Sequence, residues 1–349
     1  MSQTVNRFLR HWKLILNIVT IIALLITIYL VRHDILTTYK AIFHINAWLL
    51  VLLIPIETID YHAQAKLYQH LFRIVGNKLA YRYLFFSALE LNFVNHVFPS
   101  GGAVGISYFG LKIKNEDISG SKATLIQIMK LVLTFFSFEV LLIISMFLLA
   151  VSHRVNSFTI LASGALTTIL IVGSGLFIFI IGDKRRINSF FGYLTKKLNR
   201  IINLFFATGR EIINVDKAKL AFDDFHQTFQ QLRKKKKEIR APFSYALLAN
   251  IAEIAAIYMV FIAFGYYVNI GAVILAYGIA NFAGLVSVLP GGVGIYEALM
   301  TGVFLATGVS PAISLPVIIM YRILNTILQI PPGYYLYQRN ISRHKGAEA

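Results

Sequence analysis

Residues 289–300 read LPGGVGIYEALM, a proline and three glycines set in hydrophobic sequence and followed at once by an apolar helical pattern with one acid, Glu297. A looser copy, FPSGGAVGISYF, stands at residues 98–109, 191 positions earlier. Each is preceded by a hydrophobic run containing Asn-Phe, Asn92-Phe93 in the first and Asn281-Phe282 in the second. Proline cannot continue a helix and glycine frees the backbone, so each stretch predicts a helix, a sharp break and a second helix. At membrane depth such a break is tolerated only where protein buries it or it lines a cavity. Two breaks in corresponding places, one per half of the chain, point to a transport site between structural repeats.

Composition places both breaks in a membrane. Of the 349 residues, 57% are hydrophobic and 14% charged, the profile of an all-α polytopic membrane protein. The first long run, Leu14 to Val31, has 18 residues and no small-residue cleavage site before Arg32, so it reads as a span and not a signal peptide. The absence of cysteine excludes disulfides, a thiolate metal site and a thiol nucleophile. A net charge of +17 would suggest nucleic acid in a soluble chain; here it reads as cytoplasmic loops beside anionic lipid.

Six stretches are long enough to cross: Leu14 to Val31, Ala47 to Leu67, Ala123 to Val151, Phe158 to Ile181, Phe243 to Tyr267 and Ile313 to Tyr337. Beside the breaks, Leu84 to Phe98 is marginal and Val104 to Leu111 too short, while Ala272 to Leu289 could cross and Gly294 to Thr307 could not. Charge sets the orientation: Arg7, Arg10 and Lys13 put the N-terminus in the cytoplasm, and Lys66, Arg73, Lys78 and Arg82 return the chain there. Lys112, Lys114 and Lys122 stay inside if the first broken segment dips in and returns. The linker 182–241, with 15 Lys and Arg against 6 Asp and Glu, is then cytoplasmic, as is the C-terminus with Arg339, Arg343 and Lys345. The loops around the second break carry no charge. The expectation is one integral membrane domain, 1–349, with six spanning helices and two re-entrant hairpins. A first repeat, 32–151, and a second, 242–337, are inverted relative to each other, an arrangement that presents one site alternately to both faces.

Within the linker, Ile187, Phe190, Phe191, Leu194, Leu198, Ile201, Ile202 and Phe205 fall on one helical face, and Lys196, Lys197 and Arg200 on the other. Such a helix, 187–206, fits either an anionic headgroup plane or the bundle's own cytoplasmic end. The run RKKKK at 233–237 reads as solvated or facing lipid headgroups.

Ionisable residues inside spans are costly enough to be read one by one. Glu57, Asp60, Gln64 and Tyr68 make a polar stripe on the second span, and Gln127, Lys130, Thr134 and Ser137 make one on the third. Asn250 and Glu253 share a face of the helix matching Ala47 to Leu67, and Arg322, Asn325 and Gln329 line the last span. Together the stripes imply a shared polar interior, although each residue alone also fits a structural interhelical pair. Glu57, Asp60 and Lys66 read as near enough to the cytoplasmic end to reach water. Arg322, beside Glu297 or Glu253, offers planar donors suited to a phosphate or a carboxylate. After Gly101-Gly102 and Gly291-Gly292 a helix begins with free N–H groups, a ready anion site, to which Gly294, Lys130 and Asn92 are added as substrate-binding candidates. Glu253 and Glu297 are read as holding a cationic headgroup or a coupling proton. The glycines have no following Lys-Ser/Thr, and no HExxH or paired histidine at ligand spacing occurs, so no catalytic residue, metal ligand set or cofactor is expected.

At these residues the sequence resembles the membrane domain of the bacterial lysylphosphatidylglycerol synthases, the flippase part of the multiple peptide resistance factor, in its stand-alone form. That family's late motif, Pro-Gly-Gly-x-Gly-x-Arg-Glu-Ala, is matched by Pro290, Gly291, Gly292, Gly294, Glu297 and Ala298, with Tyr296 in place of the arginine. Arg322, the later Pro332-Gly333 and the segment from Asn92 to Gly105 also fit. The resemblance implies a lipid-handling protein of the bacterial inner membrane. Because the chain stops at Ala349, where relatives continue into a cytoplasmic synthase domain, synthase activity is not expected of it.

Three readings stay open. The first is a flippase-like translocase for an anionic or aminoacylated phospholipid or a polyprenyl phosphate. The second is the membrane component of a phosphatidylglycerol lysyltransferase system conferring cationic peptide resistance, working with a separate synthase. The third is an ion-coupled transporter of a small solute.

Overall fold

The computed structural model describes residues 45–98, 103–190, 192–193, 197, 215–286 and 294–346. The first predicted span, the glycines Gly101, Gly102, Gly291 and Gly292, and most of the helix 187–206 lie outside the described residues. Every element among the described residues is helical: α1 (Ala47–Val51), α2 (Leu53–Ile74), α3 (Tyr81–Val97), α4 (Ala103–Ile113), α5 (Gly120–Val151), α6 (Ser157–Ile181), α7 (Val215–Lys234), α8 (Arg240–Ala263), α9 (Ile270–Val286), α10 (Ile295–Ala306) and α11 (Pro311–Gly346).

Among the described residues, four helices are long and apolar enough to cross a bilayer: α5, α6, α8 with the turn before it, and α11 up to Asn340. They coincide with four of the six predicted spans. A fifth, Ala47 to Leu67, is met by α1 and α2, which are separated by a turn at Leu52. Its polar stripe keeps α2 from reading as apolar. At 1.5 Å per residue, α4 and α10 are roughly 17 and 18 Å long, too short to cross. Large side chains on α5 and α6, including Ile143, Phe147, Leu161 and Phe179, stand exposed, a surface that suits lipid and not water.

Local chemistry sets the ends of these helices. Asn156 caps α6 reciprocally with Thr159, each side chain bonded to the other's N–H at 2.9 Å. Helices α2 and α8 both end on a glycine in the left-handed region, Gly76 (φ 85°) and Gly265 (φ 81°). In each, the next residue's N–H reaches five positions back, Asn77 to Phe72 and Tyr266 to Phe261, both at 2.9 Å.

The packing repeats between the two halves of the chain. α2 lies along α8; α3 packs on α4 as α9 packs on α10; α4 packs on α5 as α10 packs on α11; and α3 meets α11 as α9 meets α5. The last two seams are closed by glycine. A Cβ on Gly278 of α9 would lie 2.1 Å from the ring of Phe138 on α5, and one on Gly333 of α11 would lie 2.5 Å from Cβ of Phe93 on α3. Small residues let membrane helices approach where lipid supplies no hydrophobic drive.

Among the described residues, two large apolar clusters and two small ones result. Of the large ones, one joins α5 and α6 to α8–α11, and the other joins α2–α5 to α7. The sequence reading did not foresee α7 docking. Phe225, Phe229 and Leu232 sit at i, i+4 and i+7, are buried in the second cluster, and His226 Nδ1 lies 2.8 Å from the Ile181 carbonyl. The basic run 233–237 that follows is exposed. Lys112, used in the sequence only as a charge that sets orientation, is buried with its ammonium 2.7 Å from Glu90. Tyr108 donates to the same carboxylate at 2.5 Å, and Asn340 of α11 bonds the Tyr108 hydroxyl at 3.1 Å.

Candidate functional site

The polar stripes converge. On α5, Gln127 accepts from the Tyr68 hydroxyl, and Lys130 donates to Gln64 Oε1 at 2.6 Å with its ammonium 5.0 Å from the Tyr68 ring centre. Gln64 Nε2 donates to Asp60 at 2.6 Å. Thr134 and Ser137 face α8, where Asn250 donates to the Thr134 carbonyl at 3.0 Å and to Ser137 Oγ at 2.7 Å. A cavity of about 170 Å³ beside this contact is lined by Thr134, Phe138, Asn250, Tyr277 and Asn281, the last from the second Asn-Phe pair.

From α11 a second chain of bonds enters the same interior. Tyr321 donates to Glu253 of α8 at 2.5 Å, Asn325 donates to the Tyr321 hydroxyl at 3.2 Å, and Gln329 Nε2 bonds both Asn325 and, at 3.2 Å, Glu57 of α2. Glu57, Asp60 and Glu253 thereby meet, with one carboxyl oxygen of each within 4.8 Å of the others. Glu57 and Asp60 are buried, not near water as the sequence suggested. The spacing of residues 57, 60 and 253 holds no local signal of this meeting, because it needs α2 laid along α8.

The second anion feature forms at α10. Gly294, at φ 87°, turns the chain into the helix, and its N–H donates to Glu297 Oε2 at 2.7 Å. The other Glu297 oxygen accepts from the Arg322 guanidinium, whose carbon lies 4.9 Å from the Tyr296 ring centre. A carboxylate is therefore held by a helix N-terminus and an arginine at once. Of the two acids that the sequence offered to Arg322, the structure selects Glu297. Tyr296, the departure from the family motif, packs its ring against the guanidinium.

In the first half, Asn92 donates to the Tyr61 hydroxyl at 3.2 Å, and His96 Nδ1 lies 3.1 Å from the Asn92 carbonyl, a local arrangement with no metal-ligand geometry. The glycine tips that completed the predicted anion sites lie outside the described residues.

Comparison with known proteins agrees on the class. UPF0104 membrane protein MJ1595 of Methanocaldococcus jannaschii is 22% identical over 80% of this chain and 82% of its own length. UPF0104 membrane protein PH1989 of Pyrococcus horikoshii is 28% identical over 34% of this chain, and the match spans about a third, 35%, of that relative. A UPF0104 membrane protein of Methanothermobacter thermautotrophicus is 36% identical over 24% of this chain and 25% of its own length. All three come from archaea. Residues 14–333 match the family model described as the lysylphosphatidylglycerol synthase TM region, and this chain is therefore a membrane protein that belongs to that family.

Proposed function

We propose that the protein is a lipid translocase, moving a phosphate-bearing lipid between leaflets of the cell membrane through the interior bounded by α2, α5, α8, α10 and α11. The observation that carries this reading is the Glu297 carboxylate held between the Gly294 N–H and Arg322. An internal anion there occupies a locus equally suited to a lipid phosphate, since helix N-termini and arginine forks bind both. Glu297 acts as a placeholder that a phosphate displaces, and Arg322 carries the substrate's charge. Family membership favours lipid over a small solute.

The alternating-access frame of this proposal is the inverted repeat with two re-entrant hairpins. Its support is the reciprocal packing of α3 on α11 and α9 on α5, and the matching ends of α2 and α8. In this frame the termini and the exposed run 233–237 face the cytoplasm, and that run binds anionic headgroups. The substrate is an anionic or aminoacylated phospholipid or a polyprenyl phosphate.

The test is leaflet exchange of fluorescent lipids in proteoliposomes, with phosphatidylglycerol, its lysyl ester and a polyprenyl phosphate run in parallel. Wild type is expected to accelerate at least one of them and Arg322→Ala to lose that acceleration. If no phosphate-bearing lipid moves faster than in protein-free vesicles under any ion gradient, the reading is wrong.

A further inference from the structure

Three carboxyl groups meeting inside a membrane protein must be neutralised by protons or by a countercharge. Lys130 supplies one, held through Gln64 at 2.6 Å with no direct bond to a carboxylate among the described ion pairs. When all three are ionised, Glu57, Asp60 and Glu253 carry two negative charges more than Lys130 offsets. A second observation lies beside the trio. Gln329 is 1% exposed, and its Nε2 is spent on Glu57 and Asn325, while its carbonyl oxygen is buried without a hydrogen-bond partner. An unpartnered buried carbonyl is costly, and it is the donor type that hard cations take.

From these observations we infer that Glu57, Asp60, Glu253 and the Gln329 carbonyl bind one divalent cation of calcium's size. The site goes beyond lipid translocation and does not depend on it.

The choice of cation follows from coordination chemistry within an outer bound on the spacing. If the three oxygens stood at the full 4.8 Å from one another, a point equidistant from them would lie about 2.8 Å from each. That is a few tenths of an ångström beyond the 2.3–2.6 Å of calcium–oxygen bonds, and roughly 0.7 Å beyond the 2.0–2.1 Å that magnesium demands. Because 4.8 Å is the outer bound, the three oxygens can close on a calcium ion with little movement, while magnesium, which dehydrates reluctantly and keeps its waters, suits an all-protein cage less. The all-oxygen donor set excludes preference for soft thiophilic metals. In the ionised site a dication balances the two charges that Lys130 leaves. The four donors come from α2, α8 and α11, so the ion would tie both halves of the chain together.

The experiment is equilibrium dialysis of the purified full-length protein in detergent against radioactive calcium chloride, with magnesium and sodium chloride as competitors. One saturable ion per chain is expected, displaced by neither competitor at equal concentration. Glu253→Gln and Gln329→Leu are each expected to weaken binding by about tenfold or more, in line with the effect of losing a metal-site hydrogen-bond partner. Gln329→Leu removes no charge, so it separates a coordinated ion from a diffuse attraction to acids, and it serves if the carboxylate variant does not fold. Absence of saturable binding by wild type, or binding unchanged in Gln329→Leu, overturns the proposal. Neither result bears on lipid exchange, which is measured separately.

Discussion

Breaking the Arg322–Glu297 pair is expected to cost stability in a way that a double replacement partly restores. The two side chains are 17% and 12% exposed, so each charge is largely removed from solvent but not sealed. Removing one partner of a buried pair costs about 3–5 kcal/mol, and partial exposure places this pair at the lower end, about 3 kcal/mol. Glu297→Gln keeps an acceptor for the Gly294 N–H but removes the carboxylate charge from the guanidinium. Arg322→Ala leaves the carboxylate still held by the α10 N-terminus, an interaction worth about 1 kcal/mol, so it is expected to cost less. On the entropy scale of globular proteins, about 3 kcal/mol across 349 residues moves the unfolding midpoint by roughly 4 °C. The assay is thermal unfolding in one detergent at one scan rate, for wild type, both single variants and Glu297→Gln/Arg322→Ala. A coupling of about 2 kcal/mol is expected, so the double variant should lose less than the sum of the singles. Strict additivity would show that the two side chains do not act together, and the placeholder argument would fall with it.

Other parts of the fold carry their own expectations. Gly278→Leu drives a side chain into the Phe138 ring, and overpacking of this kind costs about 1–3 kcal/mol; adding Phe138→Ala should recover part of the loss, read as monodispersity and unfolding midpoint. Glu90→Gln strands the buried Lys112 ammonium and should cost about 3–5 kcal/mol, whereas Glu90→Gln with Lys112→Met should be milder than Glu90→Gln alone in the same scan. Asn250→Ala removes the bonds to Ser137 and the Thr134 carbonyl, about 1 kcal/mol each, and should loosen α5 from α8 as seen by faster amide exchange along that seam.

The polar interior was legible in the sequence because helical spacing is a local property. Gln127, Lys130, Thr134 and Ser137 recur on one face, and in the structure that face meets α2 and α8. Arg322 was singled out as a deep charge with planar donors, and it does hold a carboxylate. What spacing could not show was which helices lie against each other. The ion pair of Lys112 has no sequence signal because nothing in its neighbourhood announces Glu90, which lies on the preceding helix and approaches only once α3 and α4 pack. Glu57 and Glu253, separated by most of the chain, meet only because α2 lies along α8. The docking of α7 is masked in the sequence for a different reason: Phe225, Phe229 and Leu232 sit in a stretch rich in charge.

The most direct measurement of the central claim is leaflet exchange in proteoliposomes of two fluorescent lipids, alike in acyl chains, one bearing a phosphate headgroup and one a neutral sugar. If Arg322 receives phosphate, wild type accelerates the first and not the second. Arg322→Ala should slow the first by roughly one to two orders of magnitude, the worth of a hydrogen bond to a charged group. Equal acceleration of both lipids, or exchange of the phosphate lipid unchanged in Arg322→Ala, would contradict the account.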